Sequence, residues 1–163
     1  MRVGALAVAG AMALGVAACG KGTPSPTPTL AADATAPNAP GIALSDARIQ
    51  LPVVSGRPGA AYFTLTQANG APRKLTGVAV ELAGRAEMHE TRGGSMKPVE
   101  EVALETGKAL KFAPGGLHAM LFDLDPKLRF QKQVALTVTL DDGSKVTVDA
   151  PVTTVAGAME EMN

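Results

Sequence analysis

Between Ile42 and about Val152 the chain is written in short alternations of apolar and polar residues. Ala61-Tyr62-Phe63-Thr64-Leu65-Thr66 sets Ala61, Phe63 and Leu65 on one side of an extended segment, and Gln67-Ala68-Asn69-Gly70 then reads as a turn. Val134 to Leu140 alternates again, Asp141-Asp142-Gly143-Ser144 interrupts it, and Val146-Thr147-Val148 resumes, which predicts a hairpin. Shorter extended segments are predicted over Leu75–Val80, Ala86–Glu90, Val102–Leu104, Ala109–Phe112 and Leu117–Leu121, with Gly or Pro in most of the gaps. Nothing in this region keeps a helical period over ten residues without a breaker. Many short strands in about 110 residues predict an all-β domain, a small sandwich or barrel.

The two flanks are of a different texture. Arg2 is followed by an apolar run from Val3 to Ala18, broken by Gly4, Gly10 and Gly15. Its sixteen residues are short for a membrane span and suit the apolar part of an export signal. The run ends Val16-Ala17-Ala18-Cys19, which resembles the bacterial lipobox. That resemblance implies a diacylated Cys19 sulfur, cleavage just before Cys19, and an acylated new amino terminus. Gly20 stands where Asp resembles an inner-membrane retention signal, so the expected place is the cell envelope or periplasm, at the outer membrane in a Gram-negative cell. Residues 20–41 hold five of the twelve prolines and no apolar period, the composition of a disordered tether. The expected organisation is a signal at 1–18, lipidated Cys19 and linker at 19–41, a β-domain at 42–152 and a flexible tail at 153–163. Met159 and Met162 fall in that tail.

Composition narrows the function. Of 163 residues, 145 remain once 1–18 are removed, enough for one domain. The 15 basic and 15 acidic residues become 14 and 15 when Arg2 is lost, a net charge of −1, which excludes the basic surplus that nucleic acid requires. One cysteine excludes a disulfide framework, and two histidines exclude a cage of several imidazoles. The five aromatic residues lie between Tyr62 and Phe130, which places the expected core around that window.

Both histidines and three of the methionines gather between residues 88 and 120: Met88, His89, Met96, His118 and Met120. Thioether sulfur is soft and neutral and favours Cu(I), while imidazole suits copper of either valence. In an oxidising compartment such donors escape the disulfide chemistry that threatens thiolates. Along Leu117-His118-Ala119-Met120-Leu121, a strand puts His118 and Met120 on one side and the aliphatic residues on the other. Met88 and His89 must face opposite ways, so only one of them is expected to ligate directly, and Met88 reads as core filling.

These residues resemble the periplasmic copper chaperones called PCu(A)C, whose pattern is H-x10-M-x21-H-x-M in a cupredoxin-like sandwich. Met96, twenty-one residues and His118-Ala119-Met120 match its second half, and Gly59 to Thr66, Met96 to Val99 and Pro114 to Leu121 match its flanks. The chain departs from it between His89 and Met96, where six residues replace ten and shorten the Arg92-Gly93-Gly94-Ser95 loop. The aim of Met96 therefore depends on that loop. The resemblance implies a Cu(I) site of His89, Met96, His118 and Met120, and delivery of copper for cytochrome c oxidase assembly, directly or through a Sco-type thiol protein. Contact with the membrane would be through the lipid anchor alone. The alternative is a non-enzymatic envelope module for copper buffering or protein contacts. No G-x-S-x-G or H-E-x-x-H motif is present, and blue-copper electron transfer would need a cysteine beside the histidines.

Overall fold

The computed structural model describes residues 40–154. The signal segment, Cys19, nearly all of the linker, and Met159 and Met162 lie outside the described residues. Ten strands follow in order: β1 (Ile42–Leu51), β2 (Gly59–Gln67), β3 (Arg73–Val80), β4 (Ala83–Arg92), β5 (Ser95–Pro98), β6 (Val102–Leu104), β7 (Ala109–Phe112), β8 (Leu117–Leu124), β9 (Gln133–Leu140) and β10 (Lys145–Thr154). Among the described residues a single 3-10 turn, Pro126–Phe130, opens on Asp125, whose carboxylate accepts from the Lys127 amide at 2.8 Å.

One layer carries β5, β4, β8, β7, β2 and β1, and the other carries β10, β9, β3 and β6. Strand β10 belongs to both. Its first part runs antiparallel to β9, from Lys145 opposite Thr139 to Pro151 opposite Gln133, and Val152 to Thr154 then pair in parallel with Ile49 to Leu51. Alternation along each strand explains why two layers form: every second residue is apolar and must find a facing sheet. Ala61, Phe63 and Leu65 of β2 are buried, as are Leu136, Val138 and Leu140 of β9 and Val146 and Ala150 of β10. These faces meet in one core. Phe63 and Phe112, directly opposed on β2 and β7, stack with ring centroids 4.3 Å apart.

The all-β architecture agrees with the strand pattern, and the predicted strands at 102–104 and 109–112 have the bounds observed. Three elements depart from expectation. Strands β1 and β5 and the 3-10 turn occupy stretches without a clear apolar alternation. Strand β10 also continues two residues into the segment read as tail, because Thr153 and Thr154 are held by β1. The aromatic window is a poor guide to the core. Phe130 is 78% exposed, and aliphatic residues outside the window, from Ile42 and Leu44 to Ala150, are buried instead. In so aliphatic a sequence, Val, Ile and Leu make up most of the buried core residues.

Candidate metal centre

Three strands bring the candidate ligands to one face of the sheet, with His89 beside His118 but outside the depression lined by Met96, His118 and Met120. β4 and β8 are antiparallel neighbours, and their register sets His89 opposite His118, Glu87 opposite Met120 and Met88 opposite Ala119. Directly opposed residues share a face of the sheet. His89, His118 and Met120 therefore lie on the outer face, whereas Met88 and Ala119 are buried on the core side. Met88 is core filling, as expected.

Strand β5 brings the fourth side chain. Arg92 and Ser95 pair across a two-residue turn in which Gly93 and Gly94 have φ of +56° and +80°. Positive φ at both central positions is the type I′ geometry that closes a tight hairpin, and glycine adopts it without strain. The shortened segment between His89 and Met96 is thus an ordered hairpin, and Met96 sits on a strand instead of a loop. It pairs with Thr91, two residues along from His89 and on the same face. Gly-Gly between two extendable segments is a hairpin signal that was open to reading in the sequence.

Met96, His118 and Met120 line one shallow depression of about 300 Å³, together with Ala60 and Tyr62 of β2. The last two were not among the expected residues, although the alternation that buries Ala61 and Phe63 turns Ala60 and Tyr62 to this side. A single extra residue in β1 between Ser45 and Arg48 resets the register and sets Arg48 opposite Tyr62, with its guanidinium 4.7 Å from the ring centroid. Burial pushes the Tyr62 phenol above its ordinary value of 10.0, with Arg48 acting the other way. The phenol of the copper-free protein stays protonated at neutral pH. A larger groove of about 780 Å³ lies alongside, lined by Leu51, Val53, Phe122 and Leu128 among others, and contains none of the candidate ligands.

The two imidazoles are held differently. His118 is 7% exposed, and its Nδ1–H donates to the Gly116 carbonyl at 3.0 Å. A carbonyl only accepts, so the proton is on Nδ1 and Nε2 carries the lone pair. Gly115, at φ +80°, turns the chain so that the Gly116 carbonyl is in place for this bond. The His89 ring lies 6.0 Å from that of His118, centroid to centroid. Its Nε2 faces Glu87 Oε2 at 3.4 Å, and its Nδ1 is buried with no hydrogen-bond partner. A buried imidazole nitrogen without a partner costs free energy in the bare protein, about 1–3 kcal/mol for a polar group of this kind. A metal ion bound there would remove that cost. The donor set therefore fits a soft cation: two imidazoles, one with an orphaned nitrogen, and two thioethers on the same face. Met96 is 52% exposed, so one side of the set is open to solvent. Among the described residues no three His, Cys, Asp or Glu side chains gather in reach of one ion.

The family model described as "Putative lipoprotein LpqE-like" matches residues 42–152. Solved structures with a similar fold include a copper-bound PCuAC domain from PmoF2, 19% identical, covering 70% of this chain and 93% of that one, with a TM-score of 0.59. Another is the Cu(I) form of DR1885 from Deinococcus radiodurans, 28% identical over 74% of this chain and 83% of that one, TM-score 0.59. The apo form of DR1885 is 30% identical over 86% of this chain and 97% of that one, TM-score 0.56. No curated protein matches the chain.

Proposed function

Since the chain belongs to the LpqE-like family and has the PCuAC fold, we propose that its outer β4–β8–β5 face binds Cu(I) as cargo and passes it to a partner protein. One observation carries this reading most. His89 and His118 face each other across the β4–β8 pair, with Met120 and Met96 on the same face and a buried, unpartnered nitrogen on His89. The ligands would be His89, Met96, His118 and Met120. Imidazole and thioether bind as neutral donors, so capture needs no thiol deprotonation and leaves the ion its single charge. The half-exposed Met96 is the natural point of entry and exit, since a partner's donor can displace an outer thioether before the buried imidazole lets go. The copper-bound and Cu(I)-bound structures among the similar proteins support copper as the cargo.

The finer parts of the reading extend this. Cys19, in its lipobox-like setting, would be acylated and hold the protein at the cell envelope, which the family's description as lipoproteins supports. Mass spectrometry of the membrane-bound protein tests this by looking for a fatty-acylated Cys19 at the amino terminus. The recipient would be the copper centre of cytochrome c oxidase or a Sco-type thiol protein, and the protein itself a carrier with no catalysis.

Valence provides the test of the site. Thioethers contribute little to Cu(II), which takes nitrogen and oxygen donors. Replacing Met96 and Met120 together by Leu keeps the volume, with an expected stability change below about 1.5 kcal/mol for each. Competition titrations of this double variant should show Cu(I) affinity falling much further than Cu(II) affinity. Equal losses for the two valences would mean that the methionines are scaffold, and the assignment of Cu(I) would be withdrawn.

A further inference from the structure

Three alternate residues of β4, Arg85, Glu87 and His89, stand opposite Phe122, Met120 and His118 of β8 and share the outer face with them. They are linked side chain to side chain. The Arg85 guanidinium lies over the Phe122 ring, 4.4 Å from its centroid, and its Nη1 is 2.6 Å from Glu87 Oε1. With one carboxylate oxygen held by Arg85, the other, Oε2, is turned to His89 Nε2 at 3.4 Å. We infer that Glu87 is a positioning residue for copper at this site: it holds the His89 proton on Nε2 and so makes Nδ1 the copper donor. This rests on the Cu(I)-binding reading above.

The chemistry follows from what each atom can do. An ionised carboxylate only accepts hydrogen bonds, so its contact with Nε2 is favourable when that nitrogen carries the proton. The lone pair is then on Nδ1, which is the buried atom without a partner. His118 has the opposite arrangement, with Nδ1–H on the Gly116 carbonyl and Nε2 free. The two facing imidazoles would therefore offer unlike nitrogens to one ion. Glu87 would also place a negative charge one ring away from the bound cation, raising the donor strength of His89 through its N–H. Arg85, stacked on Phe122, holds Oε1 of the carboxylate and so leaves Oε2 for His89.

Long-range proton–nitrogen NMR of the imidazoles in the copper-free, nitrogen-labelled protein reads the tautomer directly, and a chelator-competed Cu(I) titration reads affinity. The wild type should show Nε2–H at His89 and Nδ1–H at His118. In Glu87→Ala the His89 tautomer should become mixed and Cu(I) affinity fall by about 10–100-fold, with His118 unchanged. Glu87→Gln can still accept the N–H through its amide oxygen but lacks the charge, so it should retain the tautomer and lose less affinity than Glu87→Ala. A wild-type His89 protonated on Nδ1, or a Glu87→Ala protein with tautomer and affinity unchanged, would overturn the inference. Wild-type protein with the stated tautomers but no uptake of Cu(I) would instead overturn the copper reading, and the role of Glu87 toward copper with it.

Discussion

Replacing His118 by Ala is expected to abolish tight Cu(I) binding while leaving the fold intact. His118 is the most fixed of the four candidate ligands: it is buried, its tautomer is set by the Gly116 carbonyl, and its strand is held on one side by β4 and on the other by β2 and β7. Loss of a residue that merely orients a ligand costs about 10–100-fold in metal affinity, so loss of the ligand itself should exceed the upper figure. The cost in stability is smaller. The variant gives up one hydrogen bond, worth about 1 kcal/mol, and some packing on the outer face. Far-ultraviolet circular dichroism and a chelator-competed Cu(I) titration separate the two effects. A folded His118→Ala protein with unchanged Cu(I) affinity would remove His118 from the site.

The largest expected effect on stability is at Phe63. This side chain is 1% exposed, stacks on Phe112, and lies between the buried Ala61 and Leu65 on the inner face of β2. Phe63→Ala should cost about 3–5 kcal/mol, the transfer term plus the cavity left when neighbouring strands cannot close in. The damage would reach the metal face, because Phe112 pairs with Leu117, the residue just before His118 on β8. Urea denaturation should therefore show a much lower midpoint with little change in slope. Phe130→Ala, which removes a largely exposed ring, is the comparison that should leave the midpoint close to that of the wild type.

How far the fold and the site were legible in the sequence follows from which signals are local. Strands β2 and β9 could be read because their burial alternates without interruption, from Gly59 to Gln67 and from Val134 to Leu140. Strand β1 breaks its own alternation: it carries a bulge near Asp46, whose φ of +52° shifts the register, so no period of two runs through it. Strand β5 has no buried residue to betray it. Its evidence was in the turn chemistry of Gly93-Gly94. The shared side of His118 and Met120 was visible because they sit two apart on one strand. Their meeting with His89 and Met96 depends on the register between β4, β8 and β5, which no stretch of sequence specifies alone. Tyr62, Ala60 and Glu87 reach the site through pairings of the same kind.

X-ray absorption of the Cu(I)-loaded protein tests the central claim most directly, since nitrogen and sulfur neighbours of copper scatter differently. A single copper bound by the face built from His89, Met96, His118 and Met120 predicts a first shell with two imidazole nitrogens and two thioether sulfurs, and the sulfur contribution should fall when Met96 and Met120 are replaced by Leu. A shell of nitrogen and oxygen alone would contradict it, and so would sulfur scattering that persists unchanged in that double variant.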